Sequence, residues 1–445
     1  MTVALLGTFD VPNFGDLLFP LLARHRLRAA APELLAWSPV GGRPFEDALE
    51  AQPLEALPGH APLDGVILGG GNIVHAWSAS RVYAAFDPPR VAAYPELWLG
   101  AWTAARAAGA PLTWNAPGVP ATPGPVAARL LNTVASASDY VSVRDEGSRA
   151  HLRATGFEGP VDVVPDPAFE VARLWSDADL DAALQATFDE IGQDRPDRFV
   201  VLHASPQRTA EDVPALAAAF DGLAAAWAAR PVLLAIGPCH GDGDLLRRVA
   251  ARMASEPITV DRPRRLLEIA AFLARGCAYA GASMHGGITS AAFGRPTRFV
   301  VPAGDHKFPG VVAHLAGTAR LCSRWDQAGP GPDDPSEGQR TRAAVEALSP
   351  RLDAHWRNLQ DALAARHDGT AASSSTAPHT AHPGPDVLAP LLLEMLQTSV
   401  TRRHAVEESL SAAKGRIAWL EDAWTRERAA RDALARGVSG GRGTP

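Results

Sequence analysis

Cysteine is scarce in this chain of 445 residues: Cys239, Cys277 and Cys322 stand in no metal-binding spacing, and an odd number cannot all pair. That fits a reducing compartment. Long apolar runs are missing as well. None approaches the roughly 20 residues that cross a bilayer, so no integral membrane segment is expected. The opening MTVALLG has no basic stretch or cleavage site and reads as a core strand rather than a leader. Nor is positive charge in excess. A net charge of −7 and an isoelectric point near 6.1 leave no general basic surface for nucleic acid. The expected protein is cytoplasmic and binds no nucleic acid.

What the chain does have is apolar material, 47% of residues against 20% charged, arranged in short runs. TVALLG (2–7), GVILGG (65–70), PLTWNA (111–116), YVSVRD (140–145) and VDVVPD (161–166) form one series of predicted strands. FVVLHA (199–204), PVLLAIG (231–237), PITVD (257–261), CAYAGA (277–282) and RFVVPA (298–303) form another. Continuous apolar strands alternating with amphipathic helical stretches predict parallel sheets covered on both faces. The expected fold is α/β, with two Rossmann-like doubly wound domains at 1–170 and 171–367 and a cleft between them. Ligands of such folds sit beyond the carboxyl ends of the strands.

Past residue 367 the composition changes. DGTAASSSTAPHTAHPGP (368–385) predicts a flexible linker. Residues 386–436 read as helix, with Val406, Leu410, Ala413, Ile417, Leu420 and Trp424 in alternating steps of four and three. That is a short coiled-coil seam, broken at Glu427 and Arg431. It predicts self-association, partner docking, or a helix folded back on its own domain. Residues 437–445 are expected to be disordered.

Five motifs fall at predicted strand ends. NFGD (13–16) puts Gly15 where backbone approaches a ligand and Asp16 where it caps a helix or holds a sugar hydroxyl; a plain βα turn reads the same way. GGGN (69–72) places Gly70, Gly71 and Asn72 at the cleft, again in a pattern that a tight turn shares. SVRDEGS (142–148) brings out Arg144, suited to a bidentate grip on carboxylate or phosphate, with Asp145 as a helix N-cap. DPAF (166–169) reads first as a turn. GASMHGGITSAAFGRP (281–296) delivers Ser283 and His285 to the sheet edge. There Gly286 and Gly287 leave room for a substrate, and an imidazole can act as acid or base near neutral pH.

In this order and spacing, over roughly residues 1–320 and with Lys307 following, the motifs resemble the polysaccharide pyruvyl transferase family. The resemblance implies a two-domain arrangement like that of GT-B glycosyltransferases. It also implies transfer of the enolpyruvyl unit of phosphoenolpyruvate to a sugar, giving a cyclic pyruvate ketal and phosphate. The expected acceptor is a sugar or glycan, nucleotide- or lipid-linked or part of a growing chain. By resemblance, Arg144 grips the donor and His285 protonates the enol carbon or assists departure of phosphate. Asp16 and Asn72 then seat donor or acceptor, with Lys307 and Arg208 as further anion-binding residues. No metal or other cofactor is called for.

One position departs from the family pattern. Many relatives carry arginine two residues before the histidine, where this chain has Ser283. Arg295 and Lys307 are the candidates to replace that charge. Two other readings stand beside the transferase. One is a nucleotide-sugar glycosyltransferase using Asp242 or Asp244 of GPCHGDGD (237–244); the other is a catalytically inactive scaffold that works through 386–436.

Overall fold

The computed structural model describes residues 1–60, 62–83, 86, 92–209, 211–305, 307–331 and 336–365. The chain divides into two compact units, residues 1–382 and 383–445, and all described residues fall in the first. The linker, coiled-coil and tail expectations for 368–445 lie outside the described residues.

The first sheet is built from β1 (Thr2–Leu6), β2 (Glu33–Ser38), β3 (Ala51–Pro53), β4 (Gly65–Leu68) and β5 (Leu112–Trp114). Its five strands run in the order β3-β2-β1-β4-β5, every pair parallel. A small parallel pair follows, β6 (Ser142–Val143) with β7 (Asp162–Val163). The second sheet comprises β8 (Phe199–His203), β9 (Arg230–Leu234), β10 (Ile258–Val260), β11 (Tyr279–Gly281), β12 (Thr297–Val300) and β13 (Arg320–Cys322). Its order is β10-β9-β8-β11-β12-β13, also parallel throughout. In both sheets the strand order reverses beside the first strand laid down, which is the doubly wound pattern expected from the sequence.

Burial explains why these runs are strands. Val3 to Leu6 and Val200 to Leu202 are wholly buried, and only a sheet with helices on both faces hides every side chain of a strand. One apolar cluster joins the two halves, running from Val3, Leu5 and Phe19 to Val201, Phe272, Tyr279 and Phe299. Strands β2, β3 and β13 escape the sequence reading. Each is short or lies at or beside a sheet edge, and β2 and β13 open on the exposed Glu33 and Arg320, which dilute the apolar signal.

Helix Ser349–Ala365, expected with residues 171–367, packs on the first half. Leu363 sits 2.5 Å from where a Cβ on Gly65 of β4 would lie. His355 Nε2 donates to Asn115 Oδ1 at 2.9 Å and takes the Tyr140 hydroxyl on Nδ1 at 3.0 Å. Apolar residues along this helix, Leu352, Trp356, Leu359 and Leu363, belong to the shared cluster, so burial decides where it goes. Among the described residues no helix is long and apolar enough to cross a membrane.

Candidate active site

The carboxyl edges of both sheets meet in a cleft of about 330 Å³. Main-chain bonds stitch its floor: Phe14 N donates to Ile236 O at 3.0 Å, and Cys239 N donates to Pro12 O at 3.2 Å. One wall comes from the first half, with Asn13, Asp16, Asn72, His75 and Trp77. The other comes from the second, with His203, Arg208, Asp242, Ser283, His285 and Lys307.

His285 lies in the first turn of helix Met284–Ala292, at 7% exposure, its ring edge-on to Phe19 with centroids 5.5 Å apart. Its Nε2 stands 3.5 Å from Asp166 Oδ2, beyond a formed hydrogen bond, and neither atom has a hydrogen-bond partner among the described residues. Asp166 is buried. Burial raises its carboxyl pKa, but His285, Arg144 and the Ala168 amide outweigh that and hold it below the usual carboxylate range. Asp166 also caps the short helix Pro167–Arg173 by accepting from Ala168 N at 3.0 Å. The turn read from DPAF is therefore real, and its aspartate does more than turn the chain.

Arg144, 3% exposed, sits one layer behind the cleft lining. Its Nη2 donates to Asn72 Oδ1 at 3.0 Å, while Nε is 3.5 Å from Asp145 and Nη1 3.8 Å from Asp166. Nε and Nη1 have no hydrogen-bond partner among the described residues. The guanidinium thus fixes Asn72, which does line the cleft. Asp145 caps helix Glu146–Arg153 through Ser148 N, as its place in SVRDEGS predicts.

Several glycines serve packing where the sequence suggested ligand space. A Cβ on Gly15 would lie 1.8 Å from His285 Nδ1, so this glycine makes room for the imidazole itself. Gly286 and Gly287 are filled by Ile236 with Tyr279 and by Phe299, and Gly70 by Phe19. Gly71 has φ +93°, which a side chain rarely adopts, and faces Asp16. Asp16 is not the helix cap. It lies within helix Phe14–Leu27 and accepts from Thr8 Oγ1 and Asn13 Nδ2, each at 2.9 Å.

Ser283, where the resemblance leads one to expect arginine, caps helix Met284–Ala292 by accepting from Gly286 N at 3.2 Å. Cation at the cleft comes instead from Lys307 and Arg208. Arg208 Nε reaches Asp305 at 3.3 Å. Burial, with Arg208 and Arg144 nearby, lowers the Lys307 ammonium to about 7 against the pull of Asp16 and Asp305. Among the described residues no carboxylate lies within ion-pair distance of it. Arg295, the other expected replacement, donates to Ala274 O at 2.7 Å and does not line the cleft. Asp244 is exposed and tied to Arg247.

Four lining residues went unremarked in the sequence. His75 Nε2 donates to Asn72 O at 2.9 Å while Nδ1 accepts from Trp77 N at 3.2 Å; burial lowers its pKa to about 4, so it stays neutral. Its ring lies against Tyr94 and Trp77, with centroids 4.1 and 4.6 Å away. Trp77 is 52% exposed, an aromatic face open at the cleft. His203, the fourth, is paired with Asp242. No motif marks these residues, because a single histidine or tryptophan in a strand or loop has no periodic signature.

The model of the polysaccharide pyruvyl transferase family matches residues 8–303. The chain belongs to that family. It is a family of transferases, and the matched span takes in every motif from NFGD to GASMHGGITS. No curated protein sequence matches the chain. Similar solved structures include Anabaena HepE with UDP-glucose, at 12% identity over 83% of this chain and 100% of that one, TM-score 0.49. Another is the UDP-GlcNAc 2-epimerase of Neisseria meningitidis bound to UDP-GlcNAc, at 11% identity over 83% and 99%, TM-score 0.43. The E. coli ADP-heptose LPS heptosyltransferase II follows at 12% over 79% and 100%, TM-score 0.37. Among the described residues of this pyruvyl transferase relative, no group of three or more His, Cys, Asp or Glu is placed to hold a metal.

Proposed function

We propose that this chain moves the enolpyruvyl unit of phosphoenolpyruvate onto two hydroxyls of a sugar, forming a pyruvate ketal during glycan assembly. The observation that supports it best is the cluster of His285, Asp166 and Arg144 at a cleft lined by the cations Lys307 and Arg208. A donor with a carboxylate and a phosphate needs such cations together with a proton source. His285, with the ionised Asp166 beside its Nε2, gives a proton to carbon 3 and makes carbon 2 electrophilic. Lys307 and Arg208 take the anionic groups in place of the arginine that Ser283 displaces. The open ring of Trp77 suits the apolar face of a sugar acceptor, nucleotide- or lipid-linked. The scheme uses no metal and no other cofactor.

Calorimetric titration of phosphoenolpyruvate into the full chain, beside UDP- and GDP-sugars, tests the donor. Binding is expected, lost in Arg144→Ala as Asn72 loses its anchor and positive charge leaves the site. It should also weaken above about pH 7, as the Lys307 ammonium gives up its proton. Turnover should disappear in His285→Ala with the fold retained. Heat from nucleotide sugars alone, with no phosphate released from phosphoenolpyruvate in the presence of any sugar, would refute the reading.

A further inference from the structure

The cleft holds a second histidine–carboxylate pair that the scheme above does not use. His203 ends β8 and stands in register with Gly281 of β11, just ahead of the turn that carries His285. A Cβ on Gly281 would lie 2.8 Å from the His203 Cβ, so the glycine clears its place. Adjacent strands thus deliver two histidines to one sheet edge, and both line the cleft.

His203 is 1% exposed, and its Nε2 lies 2.8 Å from Asp242 Oδ2. The same oxygen accepts from Gly237 N at 2.8 Å. Asp242 also opens helix Asp242–Ala250, where the aligned amides favour negative charge. The oxygen takes two donors, so Nε2 of the ring carries a proton, and in the neutral imidazole the lone pair then lies on Nδ1. That nitrogen has no donor among the described residues. A buried acceptor left unpaired costs about 1–3 kcal/mol, and His203 lines the cleft, where an O–H or N–H group of a ligand can satisfy it.

We propose that His203 is the base that takes the proton of the first acceptor hydroxyl, with Asp242 as its positioning partner. This rests on the phosphoenolpyruvate reading, whose proton balance needs a second base. Protonated His285 gives its proton to carbon 3. The first hydroxyl oxygen bonds to carbon 2 and its proton passes to His203 Nδ1. The carbon 2–phosphate oxygen bond then breaks, the electron pair leaves with phosphate, and His203 returns its proton to that phosphate. The second hydroxyl closes the ketal and its proton restores His285. Two hydroxyl protons end as one on carbon 3 and one on phosphate, and both histidines finish as they began.

The test compares the unsubstituted chain, His203→Gln and Asp242→Asn for phosphate release across pH, with phosphoenolpyruvate affinity measured in parallel. Gln keeps the bond to Asp242 but holds no proton at Nδ1. Release should fall roughly 10²–10³-fold, and the acidic limb of the pH profile should vanish while donor affinity stays put. Asp242→Asn should lower release as well, because the carboxylate that holds the His203 ring through Nε2 is gone. A His203→Gln variant within about threefold of the unsubstituted chain, its acidic limb intact, would overturn the assignment. So would unchanged release in Asp242→Asn, which stands as the test even if His203→Gln fails to fold. If the unsubstituted chain releases no phosphate with any sugar, the donor reading fails and takes this one with it. Turnover that is indifferent to His203 defeats this one alone.

Discussion

The two histidine–aspartate pairs of the cleft are built in opposite ways. His203 ends a strand and Asp242 opens a helix of the same half; they sit 2.8 Å apart and are buried together, so the second half sets their geometry by itself. His285 and Asp166 stand 3.5 Å apart. The imidazole rides on a second-half helix while Gly15 and Phe19 of the first half pack around it. One pair is fixed by local hydrogen bonds and the other by how two layers of the molecule meet. A tight pair inside one half tolerates change across the cleft; a pair held by packing from both sides does not.

Gly15→Ala should break that contrast most severely. Its methyl would lie 1.8 Å from His285 Nδ1 and must displace the ring, while His203 and Asp242 are untouched. Turnover should drop by roughly 10³-fold or more, measured as phosphate release, while a folded core persists by thermal melt. Activity near that of the unsubstituted chain would mean that His285 does not act from the position seen here.

Asp166→Asn should be milder. The ring stays braced by Gly15 and Phe19, but the carboxylate beside its Nε2 is lost. Release should fall roughly 10²-fold, measured with phosphoenolpyruvate affinity beside it. Release within about threefold of the unsubstituted chain would detach Asp166 from the proton transfer and leave it as the cap of its short helix.

His355 sharpens the comparison from outside the cleft, since its partners are Asn115 and Tyr140 and neither is charged. Burial drives its pKa down to about 3. Below about pH 6.5 the unfolded chain takes a proton there that the folded chain refuses. Stability should therefore be full above that pH and fall by at most about 1.4 kcal/mol per unit on acidification towards pH 3. Urea unfolding at pH 7 and 4.5 checks this. His355→Gln should lose less stability between the two values; an equal loss would place the acid sensitivity elsewhere.

How legible all this was in the sequence depends on what each residue's signal looks like. Buried strands such as VALL and FVVL announce themselves because every side chain is apolar. Strand β13 begins with Arg320, and β3 is only AQP, so neither stands out. In the site, His285 was legible because glycines and a strand end surround it. Those glycines were then misread as substrate space, since a sequence cannot show that Phe299 or His285 already fills it. Asp166 looked like a turn residue because it is one, and its second contact arises only when residues 119 positions apart in the chain meet. His203 was hidden in FVVLHA, where an imidazole at a strand terminus leaves no pattern.

The cleft floor is held by Phe14 N to Ile236 O and Cys239 N to Pro12 O, bonds that involve no side chain. Natural variation can therefore rewrite the walls while the seam stays put, because any residue other than proline offers the same amide. Ser283 fits that picture: it caps the helix beneath it, while the cations at the cleft, Lys307 and Arg208, stand on other segments. A joint blind to side-chain identity lets the lining change one substitution at a time, without rebuilding the frame that holds the two histidines.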